Sequence, residues 1–499
     1  MSERNVLKLD INGLTEFQKE LHYSKDPNDK EDKVKSRFSC SIDKYAWCTH
    51  TKAKMTHSAE EGEVIYTASK KFDVLFKSEL HINLLPIKVK EKWRSRFQIC
   101  YPHNPGHNIC YQGELKIDDD HHHTIDSVWM DIHSQFYMKQ GAGMRTHYDR
   151  MVGNIPCLEN WNTELPGIKL LVPQPFYYSR NTRVGLMTLQ SSMNTVTHHY
   201  KIRNKIHDIL RMRVKLKNKD PKDKTVKWQE IPCKLQYLDV PGRAKEFPIP
   251  ELWARYSLMT DAERDWHKSI DPSTGEPIKH VIYTEDIVMA TSNNPTPLGS
   301  TDVIPLHCKA PCKGLFWVAQ DIKAIENRNF SNYTTNPDNL FNGWNPCAKV
   351  DLKYGGAHRV EKLSHEHFDL SEPWDFYPSA PSEPGYNAYT FGYEPTTLNA
   401  DTAIVLEPLN ASLHVKLGDT NPFKTIEEEE DEYDENGDLI PVEALGEVHD
   451  IGGNKSRYLI HVRALVYKKL VMSWNEKSKC LKYLMMEDAT KNKPQNETN

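Results

Sequence analysis

Two-residue alternation on both sides of one polar break restricts this chain more than any other feature. Met212, Val214 and Leu216 alternate with Arg211, Arg213, Lys215 and Lys217. Far downstream, Ile460, Val462, Ala464 and Val466 alternate with His461, Arg463, Leu465 and Tyr467. Successive strand side chains point to opposite faces, so such runs suit half-buried sheets and not helices. Phe72, Val74 and Phe76 alternate with Asp73 and Lys77, and Val128, Met130 and Ile132 with Trp129, Asp131 and His133, which predicts two more strands. Leu315 to Ala319 is wholly apolar and short, as a buried strand would be. Cys233 to Leu238, Ala388 to Phe391, Thr402 to Leu406 and Leu413 to Leu417 read as further strands. About eight short strands on each side of the break make one sandwich per half.

The break is Lys217 to Gln229, polar and rich in Lys. A chain of 499 residues is too long for one ordinary core. The expected division is an N-terminal arm at 1–35, a first sandwich at 36–217, a linker at 218–230, a second sandwich at 231–488 and a disordered tail at 489–499. Helices are expected only as short pieces in loops. Thr15 to Gln18 has capping-box spacing and opens one through Leu21, before the solvated stretch from Lys25 to Lys35. Thr260 is placed as the N-cap of a second, with Glu263 at its third position.

Several function classes are disfavoured. The net charge of −5 gives no overall field for nucleic acid. Lys201 to Lys227 is basic, but its alternation suits one solvated strand face, with no aromatic stacking platform interleaved. No run of about 18 apolar residues is present to span a membrane. No apolar leader segment is visible, so the usual secretory route is not expected. Cys308 and Cys312 are the closest cysteine pair and have no matching zinc half-site, so reduced core thiols are expected. Asp118 to His123 is rich in metal-ligand types. Adjacent strand residues point apart, however, so a solvated hairpin loop is expected there, as are surface histidines at Thr197–His199 and Ser364–His367. Glu427 to Glu435 lacks the ligand order of a calcium loop and reads as an acidic loop. Asn329, Asn332, Asn410 and Asn454 head glycosylation sequons that are expected to go unused without a leader. No nucleophile elbow, phosphate loop or zinc-protease motif appears. The expectation is a protein with no catalytic residues, no cofactor and no metal.

The central stretch Pro166 to Gln190 holds Pro175, Phe176, two further aromatics, Arg180, Asn181 and, later, Leu189 and Gln190. This order resembles a block of the double jelly-roll major capsid proteins of nucleocytoplasmic large DNA viruses. Other blocks follow the same family in sequence order. Met151, Gly153 and Asn154 resemble its Met-Ile-Gly-Asn block. Glu263 and Arg264 close a run similar to one that opens the family's second jelly roll. Leu315 and Trp317 match its Leu-x-Trp-Val run, and Tyr389, Phe391 and Pro395 its Tyr-Ser-Phe-x-Leu-x-Pro block. The matches span roughly residues 125 to 475. Departures are also clear: Leu398–Asp401 replaces Gln-Pro-Ser-Gly, Val405–Pro408 replaces Asn-Phe-Ser-Arg, and Gly314 stands where the family has Glu.

The resemblance implies an all-β chain of two tandem eight-stranded jelly rolls, the double jelly roll, with short helices in loops. It implies a structural protein that self-assembles into homotrimeric, pseudo-hexagonal capsomers of an icosahedral shell, and not an enzyme. Its implied partners are neighbouring capsomers, minor capsid and penton proteins and an internal membrane beneath the shell, with no direct nucleic-acid contact. The implied location is the virion capsid, with host cytoplasm during assembly. The alternatives are a minor capsid or assembly-scaffold paralogue and a cupin-like metal enzyme. Trp317 and Phe316 are expected in the second core. Trp344, Trp374, Phe376 and Tyr377 have no period, and some of them are expected to be covered by a neighbouring chain or by the partner jelly roll.

Overall fold

The computed structural model describes residues 47–60, 62–118, 120–138, 144–180, 184–188, 195–216, 227–270, 272, 275–393, 395–396, 403–420, 456–475 and 480–485. The expected arm, tail and acidic loop lie outside these residues, as do Asn181, Leu189, Gln190 and Asn454. Strand accounts for 46% and helix for 22%.

Eight principal strands build the first sandwich: β1 (Trp47–Lys54), β2 (Glu63–Thr67), β3 (Val74–Asn83), β4 (Cys110–Ile117), β5 (Asp120–Asp126), β6 (Lys169–Pro173), β7 (Val196–Ile202) and β8 (Glu251–Met259). Eight more build the second: β9 (Lys279–Thr291), β10 (Thr301–Pro305), β11 (Cys312–Asp321), β12 (Cys347–Tyr354), β13 (Ala357–Ser364), β14 (Asn387–Thr390), β15 (Ala411–Leu417) and β16 (Arg457–Asn475). The first half pairs them as β1-β8-β3-β6 and β2-β7-β4-β5. The second pairs them as β9-β16-β11-β14 and β10-β15-β12-β13. Adding eight to each number of the first half gives the second, so one jelly-roll topology occurs twice.

The period-2 runs land as expected at β16 and the short strand Arg211–Lys215, and the apolar run Leu315–Ala319 lies in β11. Several expectations fail. First, the Lys-rich break does not separate the halves. Its flanking strands, Arg211–Lys215 and Trp228–Ile231, pair with each other, and β8 pairs with β1 and β3. The chain passes from one sandwich to the other between Met259 and Lys279, because a polar break marks a hairpin as readily as a linker. Second, Val128 to His133 is helical. Asp126 caps Ser127–Phe136 by accepting from the Trp129 N–H at 2.8 Å. Residues 128–132 are buried all round, so no polar face betrays the helical period. Third, Cys233–Leu238 is not one strand: Leu235–Tyr237 forms a 3-10 turn and only Leu238 enters a short strand, Leu238–Asp239.

The helices that concern the site are α1 (Pro105–Ile109), α2 (Ser127–Phe136), α3 (Met144–Val152), α4 (Asp261–Lys268) and α5 (Glu372–Phe376). The Thr260 cap of α4 forms as expected, its hydroxyl accepting from the Glu263 N–H at 3.3 Å. Two cores result. Leu315, Trp317, Val350, Leu413 and Val462 lie in the second, with the Trp317 ring 5.1 Å from Phe368. Phe316 is also buried but points the other way, into a cluster shared with the first half.

Candidate functional site

The two sandwiches meet over the outer face of the β9-β16-β11-β14 sheet. Phe316 and Arg463 lie opposite each other in register there, while their neighbours Trp317 and Val462 face the second core. Helix α2 covers this face. The Trp129 and Phe136 rings each stand 5.4 Å from Phe316, and Tyr377 joins Phe136 at 5.4 Å. Apolar burial of this kind contributes about 25 cal/mol per Å² and pulls the halves together without fixing their register.

Buried charge supplies the register. Glu285, 1% exposed, receives Lys313 Nζ at 2.7 Å and pairs with Arg180 from the first half. Arg180 also donates to the Thr396 carbonyl at 2.9 Å and lies over the Tyr137 ring. Burial alone would raise the Glu285 carboxyl, but Arg180 and Lys313 together hold it below the usual range. Next to it, Asp286 accepts from the Thr124 N–H at 2.9 Å and from Lys468 at 2.5 Å. Asp126, the cap of α2, also receives Arg463 at 2.5 Å, joining the first half to β16.

Deeper in the seam, Asp131 accepts from Asn104, His107 and, across the halves, Tyr333, at 3.0, 2.6 and 2.9 Å. His103 bridges Glu159 of the first half and Glu383 of the second at 2.5 and 3.2 Å. Burial pulls its pKa down, yet the two carboxylates outweigh that and hold the imidazole well above its ordinary value. A buried ion pair is a weak source of net stability but a strong penalty on any misaligned docking, which leaves charges unpaired.

The expected hairpin loop at His121–His123 is strand β5, and His122 and His123 are buried. The second sandwich covers this strand, so its polarity does not signal solvent. His121 pairs with Glu114 and Asp286, while His123 Nδ1 accepts from the Tyr177 N–H at 3.1 Å. The three rings do not converge. Among the described residues, no group of three or more His, Cys, Asp or Glu is placed to hold a metal ion. Cys308 and Cys312 carry free, buried thiols. No helix among the described residues is long and apolar enough to cross a membrane. The basic strand Arg211–Lys215 does meet aromatics, brought from elsewhere in the chain: Arg213 lies 4.7 Å from both Trp161 and Trp228, in an open cleft of about 600 Å³.

The motif residues have scattered positions. Arg180 is in the seam, and the buried Pro395 adjoins the Thr396 carbonyl that Arg180 bonds. Gly153 follows α3 with φ +93°, where a Cβ would stand 2.7 Å from Pro105. That conformation and that contact both require glycine. Met151 and Asn154 are half-buried beside it, Asn154 next to His103. Phe176 is buried against His198, and Pro175 is half-buried. Arg264 binds Asp73 at 2.8 Å, tying α4 to the first sandwich, and Glu263 completes the cap. Leu315 and Trp317 are core residues, with Tyr389 and Phe391 packed against that core. Missed altogether were Glu285, Lys313, Asp126, Arg463 and Asp131. A Lys preceding an apolar run, as at Lys313, was the one signal that could have marked the seam.

Two sandwiches of one strand order in one chain make a double jelly roll, the fold of a class of shell proteins. The comparisons agree. Residues 36–256 match the family described as major capsid protein N-terminus, and residues 278–439 the large eukaryotic DNA virus major capsid protein. The chain belongs to the major capsid protein family of large eukaryotic DNA viruses. It is 22% identical over 390 residues to the major capsid protein of Costelytra zealandica iridescent virus, covering 71% of this chain and 76% of that one. With the major capsid protein of Spodoptera frugiperda ascovirus 1a it is 25% identical over 334 residues, 62% of this chain and 68% of that one. The fold is similar to the PBCV-1 virus capsid quasi-atomic model, with TM-score 0.58 and 15% identity over 87% of this chain and 97% of that chain. It is also similar to the Faustovirus major capsid protein, with TM-score 0.58 and 8% identity over 94% and 98%.

Proposed function

We propose that this capsid protein acts by closing three copies into a six-sandwich block, and that such blocks tile the virion shell. The observation that carries this reading is the repeated strand order, which gives each chain two like units side by side. Three chains then make a pseudo-hexagon through one repeated head-to-tail contact, the kind that closes into a ring. The first unit runs to Met259 and the second starts at Lys279.

The role is structural, without catalysis, cofactor or direct nucleic-acid contact. Its partners are neighbouring capsomers, minor capsid and penton proteins and a membrane beneath the shell, and assembly takes place in host cytoplasm. An obligate contact of this kind buries on the order of 2,000 Å² or more. The expected result in light scattering is a particle of three 57.8 kDa chains. A monomer at every salt concentration refutes the trimer.

A further inference from the structure

The repeat pairs two segments that meet different fates. In each half, a helical segment begins at the end of the fifth strand. In the first half this is α2, directly after β5, and its aromatic side chains are buried on the second sandwich. In the second half it is the turn His367–Ser371 and α5, just after β13. There Trp374 is 82% exposed and Leu370 57%, and Tyr393, 82% exposed, stands 5.9 Å from Phe376. Tyr377 is covered by the first half and Phe376 and Trp344 are half-buried, so of the four unplaced aromatics only Trp374 stands in the open.

The receiving faces also differ. The outer face of β9-β16-β11-β14 is the one α2 covers. Its counterpart is the outer face of β1-β8-β3-β6. Lys52, Arg255 and Lys77 lie directly opposite one another there, across three adjacent strands. Like charges in such a row repel. Lys52 has Glu79 as a partner, whereas Arg255 and Lys77 have no ion pair among the described residues. Half-buried Trp253 lies one row along, stacked 5.3 Å from His81. The exposed ridge after β13 carries the opposite sign, with Glu366 and Asp375 turned to solvent.

We propose that the ridge bearing Leu370 and Trp374 docks on the outer face of the β1-β8-β3-β6 sheet of a second copy of this chain. This rests on the trimer reading and names the two surfaces that make its contact. The contact repeats between chains the geometry that α2 makes within one. It joins an apolar ridge to Trp253, and it brings Glu366 and Asp375 to Lys77 and Arg255.

The test measures mass against concentration for four chains: the parent, Leu370→Ser with Trp374→Ser, Lys77→Glu with Arg255→Glu, and a chain joining Lys77→Glu and Arg255→Glu to Glu366→Lys and Asp375→Lys. All the replaced side chains are exposed, so far-UV circular dichroism should not change. The first two variants should associate roughly tenfold or more weakly than the parent. The chain with both signs reversed should recover the trimer. A two-site variant that assembles at the parental concentration overturns the proposal. So does a fully reversed chain that stays dissociated, whatever the cause of the loss in the one-sided chains. A parent that is itself monomeric refutes the trimer reading instead, which separates the two failures.

Discussion

Glu285→Gln should damage the protein far more than Lys313→Met, although each removes one side chain from the same cluster. Glu285 and Lys313 are each 1% exposed, and Arg180 completes a set of two cations around one carboxylate. Removing the anion leaves two buried cations facing each other. Losing one partner of a buried pair costs about 3–5 kcal/mol. Removing Lys313 instead leaves a balanced pair of Arg180 and Glu285, and methionine can fill the space against the Tyr467 ring. The loss is then one charged hydrogen bond, set against relief of a buried ammonium, and should stay below about 2 kcal/mol. For sandwiches of this size each kcal/mol moves the melting midpoint by about 2–4 °C. Calorimetry at neutral pH and one fixed protein concentration should place Glu285→Gln about 6–20 °C below the parent, with Lys313→Met well above it. The reasoning is refuted if Glu285→Gln melts within about 2 °C of the parent, or if Lys313→Met falls as far.

Trp317→Ala empties a fully buried site facing Phe368 and should cost about 3–5 kcal/mol; a parental urea midpoint would place Trp317 outside the core. Acid should destabilise the protein well before its carboxylates titrate. Burial pushes His122, His123, His280 and His461 each down to about 4. The unfolded chain takes up these protons near pH 6.5 and the folded chain refuses them, so stability is full above about 6.5 and falls towards 4, by about 3 kcal/mol per group. His103, His121 and His365 act in the opposite sense, since their carboxylate partners raise them and their contribution is lost as pH rises. His133, His198 and His267 are pushed down further, to about 3, so the depressed histidines outnumber the raised ones and melting midpoints should drop between about pH 6.5 and 4.5; a flat profile over that range would contradict the buried, neutral histidines.

Local pattern was enough to read the strands. β16 alternates because Ile460, Val462, Ala464 and Val466 all face the second core, and that signal survives in the sequence even though the first half covers the other face. It misleads at two other covered segments. Residues 128–132 lie in a helix enclosed by two sandwiches, and His121–His123 in a strand whose polar face meets the second half. In each case the polarity of the local residues reflects a partner some 160 to 340 positions away, such as Asp286 for Thr124 or Arg463 for Asp126. The seam is therefore long-range by nature. Family motifs found only part of it, through Arg180, because Gly153, Phe176 and Trp317 answer local demands of turn and packing.

The sequons at Asn329 and Asn332 end in buried side chains, donating to the Pro337 and Asn336 carbonyls, whereas Asn410 is exposed. Timing matters for a more basic reason. The strand order makes each sandwich close with its first and last strands side by side: β1 against β8, and β9 against β16. In both cases the partners lie roughly two hundred residues apart, so at ribosomal speeds of about 5–20 residues per second the opening strand waits some 10–40 s for its mate. During that interval its hydrogen-bonding edge is open to any other nascent chain on the same message. The strand order thus places the exposure of each sandwich's opening edge within the time of synthesis, before any contact between finished chains can form.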